Sequence, residues 1–294
     1  MKILILGGSG QVGSDLLRRY QAGGEAVCAP TRQELDVAQP DAVRRVLDRE
    51  QPDVVINCTV FHPVDECERQ PERSLAVNAL APFQLALACH ERGCKFVHFS
   101  SDYVFDGESG RPYRETDCPR PRTVLGVSKV AGEQLIANAA SRHFIIRTSG
   151  LYGVAGSRVK GGNFVETMLR LGREKGVVSV VNDLRMAQTY TGDLAAQTLA
   201  LIRTDAYGLY HASNHGDLSW FEFAELIFRA AGMTVEVKPV SHTAFPALAP
   251  RPRYSVLENN RLRELGLDRM RTIPEALAIY LRERSGAAGA VSRG

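Results

Sequence analysis

The sequence has little that would suit a nucleic-acid-binding, membrane-spanning or disulfide-stabilised protein. Its 36 basic and 33 acidic residues leave a net charge of +3, and the arginines are scattered among acids instead of forming a basic patch. No apolar run approaches the roughly 20 residues that span a bilayer. The six cysteines include no Cys-x-x-Cys pair, and Met1 leads into a short apolar strand without a signal-peptide cleavage pattern. We therefore expect a cytoplasmic protein with reduced thiols and with no nucleic-acid or membrane partner.

The pattern that is present is an alternation of short apolar strands with amphipathic helices. With 294 residues and 44% hydrophobic content, the chain can fill more than one core. The pattern predicts an α/β fold, a doubly wound parallel sheet (Rossmann) in residues 1–150. Residues 151–294 are expected to form a smaller, mainly substrate-binding domain, with some segments returning to the first. The predicted strands are 2–6, 26–28, 54–57, 96–99 and 144–148, and the predicted helices are 11–21, 41–49, 74–92 and 127–140.

A glycine loop connects the first predicted strand to the first predicted helix. Gly7 suits a tight turn, Gly10 lets the backbone approach a pyrophosphate, and Gly13 lets helix and strand pack closely. We predict that these glycines, with Gln11 and Val12 at the start of the helix, bind a dinucleotide. The alternative is an ordinary strand-to-helix turn.

The end of the second predicted strand indicates which dinucleotide is bound. An acidic side chain there would accept hydrogen bonds from ribose hydroxyls, whereas a basic one would meet a 2′-phosphate. Thr31 and Arg32 occupy this position, with no Asp or Glu at the strand end. NADP(H) is therefore favoured as the cofactor, and NAD(H) is the alternative. Arg32 is otherwise a solvated loop residue.

Together with the glycine loop, the motif Ser-Ser-Asp-Tyr-Val-Phe-Asp-Gly at residues 100–107 makes the chain resemble an extended short-chain dehydrogenase/reductase. At finer grain it resembles dTDP-4-dehydrorhamnose reductase and its relatives, which reduce the 4-keto group of nucleotide-activated 6-deoxyhexoses. The resemblance implies an NAD(P)-dependent oxidoreductase with a small-molecule substrate, a nucleotide sugar, and it allows a homodimer. Nearly the whole chain takes part, including residues 64–68, 76–78, 111–117, 163–165, 219–224 and 251–255.

The catalytic residues of that family are a Ser or Thr, a Tyr and a Lys, and here the matching positions hold Ser101, Leu125 and Lys129. The resemblance implies that Ser101 holds the substrate carbonyl, while Lys129 grips the nicotinamide ribose and lowers the pKa of a neighbouring phenol. Leucine has no such phenol, so the proton donor is missing. The structural alternatives are an exposed helix lysine for Lys129 and a helix or turn cap for Ser101.

Three tyrosines come from loops expected near the crevice and are candidates to replace the missing donor. They are Tyr103, Tyr113 and Tyr152, and a bound water is a fourth candidate. Tyr103, two residues beyond Ser101, is the one that we predict to be catalytic.

Two further segments match cofactor-contacting segments of the family. Asp36 occupies the position of a carboxylate near the adenine, and Cys58 and Thr59 follow a strand end that lines the cofactor. Asp36 has an alternative role as a helix cap for the segment that begins near Pro40.

The substrate side departs from the family pattern. Gly150 stands where the family has a tryptophan that packs on the substrate, and residues 184–189 differ from the usual segment. The substrate pocket is therefore expected to be rebuilt. Arg158 and Arg185 are candidates for contact with an anionic substrate, although loop arginines are often only solvated. No set of residues at ligand spacing predicts a metal site.

Three hypotheses about function remain open from the sequence. The first is a redox enzyme of nucleotide-sugar metabolism with a substitute proton donor or a changed substrate. The second is a dinucleotide-binding regulatory subunit without turnover, for which the family offers the regulatory β subunit of methionine adenosyltransferase. The third is non-redox chemistry on a nucleotide sugar.

Overall fold

The computed structural model describes residues 1–157 and 161–291, with side chains through residue 285. Its main element is a six-stranded, all-parallel sheet in the order β2-β1-β3-β4-β5-β8. The ten strands are β1 (Lys2–Leu6), β2 (Ala26–Cys28), β3 (Val54–Asn57), β4 (Lys95–Ser101), β5 (His143–Thr148), β6 (Val177–Val181), β7 (Arg185–Met186), β8 (Gly208–His211), β9 (Leu218–Ser219) and β10 (Glu236–Val240).

Eleven α-helices lie among the residues described, and helices cover both faces of the large sheet. They are α1 (Gln11–Ala22), α2 (Pro40–Glu50), α3 (Val64–Arg69), α4 (Pro71–Leu75), α5 (Ala81–Glu91), α6 (Val124–Ala139), α7 (Phe164–Lys175), α8 (Thr191–Ile202), α9 (Trp220–Ala230), α10 (Asn260–Glu264) and α11 (Ile273–Val291). Short 3₁₀ turns occur at Asp102–Val104 and His242–Ala244. The predicted α/β doubly wound class is confirmed.

The apolar side chains of β1 alternate between the two faces of the sheet, so the sheet needs helices on both sides. Ile3 and Ile5 pack into one core with residues of α1 and α8, whereas Leu4 and Leu6 pack into a second core with residues of α2 and α5. Successive side chains of a strand point to opposite faces, so an apolar strand such as β1 requires two apolar partners.

The prediction of one continuous α-helix over residues 74–92 is wrong. A π-helical turn, Ala76–Leu80, separates α4 from α5. Pro82 has no N–H to donate to the Asn78 carbonyl four residues earlier, so the regular ladder is interrupted there. The Asn78 carbonyl oxygen instead lies against Gly132 of α6, where a Cβ would overlap it.

The second half of the chain contributes to the large sheet and also builds a separate core. β8 pairs in parallel with β5, and α8 packs on α1. The remaining strands form two small pairs, β6 with β10 and β7 with β9. Their core contains Tyr152, Phe223 and Tyr280. No helix in the described part of the chain is long and apolar enough to cross a bilayer.

Candidate active site

Three neighbouring strands bring the predicted site residues to one edge of the sheet. β1, β3 and β4 are adjacent and parallel, so their carboxyl ends lie side by side. The glycine loop follows β1, Cys58 and Thr59 follow β3, and Ser101 is the last residue of β4. This edge is where open α/β sheets bind their ligands.

The glycine loop is closely packed against its own helix. Gly7 has a φ of +79°, and its carbonyl oxygen accepts a hydrogen bond of 3.0 Å from Gly10 N. A Cβ on Gly13 would overlap that oxygen and would lie 2.8 Å from the Gly8 Cα. The first turn of α1 contains no acidic residue, so its N–H groups present a positive end to an anion.

Two observations support the fit of a dinucleotide to this edge. The backbone at Gly7 comes so close to Cys58 and Thr59 that a Cβ would lie 3.1 and 3.2 Å from their backbone atoms. The buried Oε1 of Gln11, at the start of α1, has no hydrogen-bond partner among the described residues. A bound polar group would satisfy it.

The end of β3 is held by a buried hydrogen-bond network. Thr59 donates to the Asn57 Oδ1 from its backbone N at 3.0 Å and from its Oγ1 at 2.6 Å. The Asn57 Nδ2 contacts the Nδ1 of the buried His98 on β4 at 3.2 Å. Burial lowers the pKa of His98 well below its ordinary value, so the imidazole is neutral and the network orients Thr59 without adding charge.

Arg32 and Asp36 lie in the segment after β2. Arg32 is exposed. The Asp36 Oδ1 accepts a hydrogen bond from Ala38 N at 3.0 Å. The N-cap of α2 is Gln39, which makes no side-chain capping bond, so the helix-cap alternative for Asp36 is wrong. The roles predicted for Arg32 and Asp36 in cofactor binding stay predictions.

Ser101 lies at the point where β4 passes into the 3₁₀ turn. Its Oγ donates to the Asp102 Oδ1 at 2.9 Å and accepts from Tyr103 N at 3.2 Å. Ser101 therefore caps this turn, as one sequence alternative predicted, and it remains partly exposed at the strand end.

Asp102 is buried directly behind that hydroxyl. Its second carboxylate oxygen, Oδ2, accepts a hydrogen bond of 2.6 Å from the Ser255 Oγ. Burial raises the pKa of the Asp102 carboxyl to about 6, against the opposing effect of the Ser255 and Ser101 hydrogen bonds. We refer to Ser101, Asp102 and Ser255 as the Ser-Asp-Ser chain.

Lys129 is buried, so the exposed-lysine alternative is wrong. Its side chain is 3% exposed, and Nζ donates to the Phe99 carbonyl oxygen at 2.9 Å. Burial lowers the pKa of Lys129 to about 8, while the charge of Glu133, one turn further along α6, opposes the shift. Since Phe99 is two residues before Ser101 on β4, Lys129 and Ser101 belong to the same strand end.

Glu133 in turn anchors α6 to the sheet. It forms a buried ion pair with Arg147 of β5, with Arg147 Nη2 at 2.6 Å from Oε2 and Nε at 2.8 Å from Oε1. Ser100 Oγ also donates to Glu133 Oε1 at 2.5 Å. The pair fixes the position of the helix that carries Lys129.

Leu125 lies in the first turn of α6, one turn before Lys129. The helix begins at Val124, three residues earlier than predicted, because Thr123 caps it by accepting a hydrogen bond of 3.0 Å from Gly126 N. A Cβ at position 126 would overlap the carbonyl oxygen of Tyr103, so the first turn of α6 is pressed against the 3₁₀ turn at Asp102–Val104. Leu125 is 5% exposed.

Tyr113 and Tyr152, two of the candidate substitute donors, are engaged elsewhere. The Tyr113 hydroxyl donates to Asp106 at 2.6 Å and accepts hydrogen bonds from three backbone N–H groups of residues 107–109. Tyr152 is 1% exposed and packs with Tyr190 and Tyr280 in the core of the second half. Neither is placed to donate a proton at the end of β4.

Tyr103, the predicted catalytic tyrosine, lies on the 3₁₀ turn beside Ser101 and is partly exposed. Burial and the charge of Asp102 raise the pKa of its phenol, with Arg251 opposing and Asp65 adding to the effect. Arg251 and Asp65 form an ion pair of 3.0 Å. The phenol is thus protonated at neutral pH, and the catalytic role predicted for Tyr103 stays a prediction.

The structure shows the surroundings of Gly150 and Arg185, which lie where the sequence departs from the family pattern on the substrate side. Gly150 has a φ of +55°, and a Cβ there would lie 2.8 Å from the Ala187 carbonyl oxygen, so a larger side chain does not fit this backbone. Arg185 donates to the Asp217 carboxylate at 2.7 Å and lies 3.0 Å from the Glu222 carboxylate, so its guanidinium is already paired with two carboxylates. Arg158 lies outside the described residues.

A cleft of about 1100 Å³ lies beside the Arg251–Asp65 ion pair. It combines arginines with exposed apolar side chains, notably Phe245, which is 55% exposed. Such a mixture suits a ligand with both anionic and planar parts. Among its lining residues are Glu108, Arg122, Leu184, Trp220, Leu248 and Arg253.

Sequence reasoning missed Asp102, Ser255 and Glu133. Glu133 was detectable, because it follows Lys129 by four residues and therefore shares its helix face. Ser255 was not, since it is 153 positions from its partner Asp102.

The chain is similar in sequence and in overall structure to known proteins. The family model for the RmlD substrate binding domain matches residues 1–285. The chain is 40% identical over 286 residues to the spore coat polysaccharide biosynthesis protein SpsK of Bacillus subtilis (strain 168), covering 97% of this chain and 99% of SpsK. It is 38% identical over 293 residues to a dTDP-4-dehydrorhamnose reductase of Streptomyces griseus, covering 97% and 95% of the two chains. The crystal structure of a Bacillus anthracis dTDP-4-dehydrorhamnose reductase in complex with NADP is similar with a TM-score of 0.91 and 38% identity, covering 96% and 99%.

Proposed function

Because the chain belongs to the RmlD substrate binding domain family, we propose that it is an NAD(P)-dependent reductase of a nucleotide-activated 4-keto-6-deoxy sugar or a related carbonyl. We further propose that it works without a tyrosine at the family's proton-donor position, which holds Leu125. The observation that carries the proposal is that Ser101 and the Lys129 ammonium, which donates to Phe99, both lie at the end of β4, on the same sheet edge as the glycine loop.

Each group at this edge has one role in the proposal. Gly7, Gly10, Gln11, Val12 and Gly13 receive the diphosphate of the dinucleotide, with Cys58 and Thr59 lining its other side. The reduced nicotinamide supplies hydride when it is bound. Lys129 donates to the nicotinamide ribose, and Ser101 donates to the substrate carbonyl. Residues 151–294 mainly bind the nucleotide sugar, with segments returning to the first half.

The cofactor is proposed to be NADP(H) rather than NAD(H), because Arg32 is exposed at the position that meets a 2′-phosphate. Calorimetric titration should give tighter binding of NADPH than of NADH, and Arg32→Ala should remove most of the difference. The exposed Arg44 of α2 offers a matched control, since Arg44→Ala should leave the ratio unchanged. Equal affinity of the native protein for both cofactors would contradict the preference.

The missing phenol gives the sharpest test of the reductase. General acid catalysis is worth about 10²- to 10⁴-fold, so Leu125→Tyr should raise NADPH oxidation with a 4-keto-6-deoxy nucleotide sugar by at least about tenfold. Leu125→Phe is the matched control, because it adds the ring without the hydroxyl. An equal rate in both variants would mean that the added phenol does not take part.

A second candidate function is a dinucleotide-binding regulatory subunit without turnover, favoured by the buried, apolar Leu125 at the donor position. Lys129→Ala should weaken dinucleotide binding by about 1 to 3 kcal/mol in either case. In a reductase, Ser101→Ala should also lower turnover with little effect on cofactor affinity. No turnover in the native protein or in Leu125→Tyr, across a panel of nucleotide sugars, would favour the regulatory function.

A further inference from the structure

We propose that Asp102 is the proton source that replaces the missing phenol, and that it acts through the Ser101 hydroxyl. The inference rests on the proposed reductase function. It assigns a chemical task to a buried carboxyl that the proposed roles of Ser101 and Lys129 leave unused.

The geometry of the Ser-Asp-Ser chain suits proton transfer from Asp102 toward Ser101. Ser101 Oγ and Asp102 Oδ1 are 2.9 Å apart, while Asp102 Oδ2 is held at 2.6 Å by the Ser255 hydroxyl. Asp102 is 3% exposed, whereas Ser101 is partly exposed at the strand end. A proton on the carboxyl therefore reaches the substrate side through Ser101.

Hydrogen-bond counting at Ser101 is consistent with this relay. The Oγ has two acceptor lone pairs and one donor hydrogen. Tyr103 N already occupies one lone pair. When Asp102 is protonated on Oδ1, it donates to the second lone pair, and the Ser101 hydrogen is released to a substrate carbonyl. Ser255 continues to donate to the other carboxyl oxygen.

The protonated form is accessible near neutral pH because burial raises the Asp102 pKa to about 6. The titratable and charged groups on the elements around it are Tyr103 on its own turn, Lys129 and Glu133 on α6, and Arg251, Arg253 and Tyr254 on the segment that carries Ser255. Arg251 is paired with Asp65 of α3. Of these, the Tyr103 phenol has its pKa raised partly by Asp102, so it stays protonated while Asp102 titrates.

A bound reduced dinucleotide would supply hydride: its nicotinamide C–H bond would break as a C–H bond forms at the carbonyl carbon, and the π electrons of the C=O bond would move to oxygen. That oxygen takes the Ser101 proton, and the Ser101 Oγ takes the Asp102 proton. The products are the alcohol, the oxidised dinucleotide and an Asp102 carboxylate, which solvent reprotonates through Ser101 after product release.

A double-mutant comparison tests the relay. In the native background, Asp102→Asn should lower kcat by at least about tenfold, because an amide does not transfer a proton. In the Leu125→Tyr background, where a phenol is present, the same change should lower kcat by less than about threefold. An equal loss in both backgrounds would show that Asp102 only supports the structure, and would overturn the proposal.

The pH profile gives a second measurement that a structural role would not affect. With native protein, kcat should fall as pH rises through about 6, since the deprotonated carboxylate has no proton to give. Ser255→Ala removes a hydrogen bond that stabilises the carboxylate, so it should move this fall to higher pH. A native profile that is flat from pH 5 to 7, or a Ser255→Ala profile that does not move, would refute the relay.

A readout independent of turnover keeps the proposal testable if Asp102→Asn fails to fold. In protein labelled with ¹³C at aspartate carboxyls, one buried resonance should titrate near pH 6 and should shift in Ser255→Ala. A titration below about pH 4 would exclude Asp102 as the acid. If Leu125→Tyr turns over and Asp102→Asn leaves the native rate unchanged, only the relay is refuted. If neither the native protein nor Leu125→Tyr turns over, the proposed function and the relay are refuted together.

Discussion

Lys129 is held in the interior at a free-energy cost that a single substitution should reveal. Its pKa is lowered from 10.5 to about 8 by burial, so the unfolded chain holds this proton more tightly than the folded one. Keeping the folded ammonium charged at pH 7 therefore costs about 3 kcal/mol, at 1.36 kcal/mol per pKa unit. Lys129→Met removes the charge and retains an apolar stem of similar length.

The sign of the pH dependence follows from the same values. Between pH 8 and pH 10.5 the unfolded state binds more protons than the folded state, so the contribution of Lys129 to stability rises with pH. Between pH 7 and pH 9 the native protein should gain about 1 kcal/mol of unfolding free energy relative to Lys129→Met, because the folded side chain loses its charge over this interval. Below pH 7 the difference between the two proteins should be constant.

Urea unfolding of the dinucleotide-free proteins at several pH values measures this difference directly. Lys175→Met, at the exposed end of α7, is the matched control and should run parallel to the native protein throughout. If the unfolding free energy of Lys129→Met also ran parallel to that of the native protein from pH 7 to 9, Lys129 would not have a lowered pKa. Its burial at the site would then be refuted.

Three further substitutions test the packing around the site. Gly13→Ala should weaken dinucleotide binding by at least about tenfold, because its Cβ overlaps the loop; unchanged affinity in a calorimetric titration would contradict the fit. Glu133→Gln should lower the unfolding free energy by about 3 to 5 kcal/mol, since it leaves Arg147 buried without a counter-charge; a loss below 1 kcal/mol in urea would argue against the ion pair. Gly150→Trp should destabilise by about 2 to 6 kcal/mol, from the left-handed backbone and the contact with Ala187; a soluble variant of native stability would show that this loop adapts.

The sequence predicted most reliably the features that local patterns determine. The strands at residues 2–6, 26–28 and 54–57 have the predicted bounds, because each is a short apolar run next to a turn-forming residue, Gly7, Gly24 or Pro52. The family resemblance, read from motifs along the whole chain, is confirmed by the matching family model. The glycine loop lies where a strand and a helix meet, as its spacing requires.

The features that depend on distant contacts were not predictable in the same way. The π turn arises from Pro82 together with the close approach of α6 to Asn78, and only the first of these is local. The positions of Tyr113 and Tyr152 depend on which core each ring enters. A list of tyrosines in nearby loops therefore overstated the number of candidate acids.

The pairing of β8 with β5 means that the first 150 residues are not a self-sufficient unit. A fragment that ended there would expose the edge of β5, and Phe144 would lose its ring contacts with Tyr207 and Tyr210. Leu16 and Tyr20 of α1 would likewise lose the apolar residues of α8. Residues 1–150 should therefore not fold when expressed alone. The intact chain should unfold as one cooperative unit at this sheet, with residues from both halves reporting the same transition.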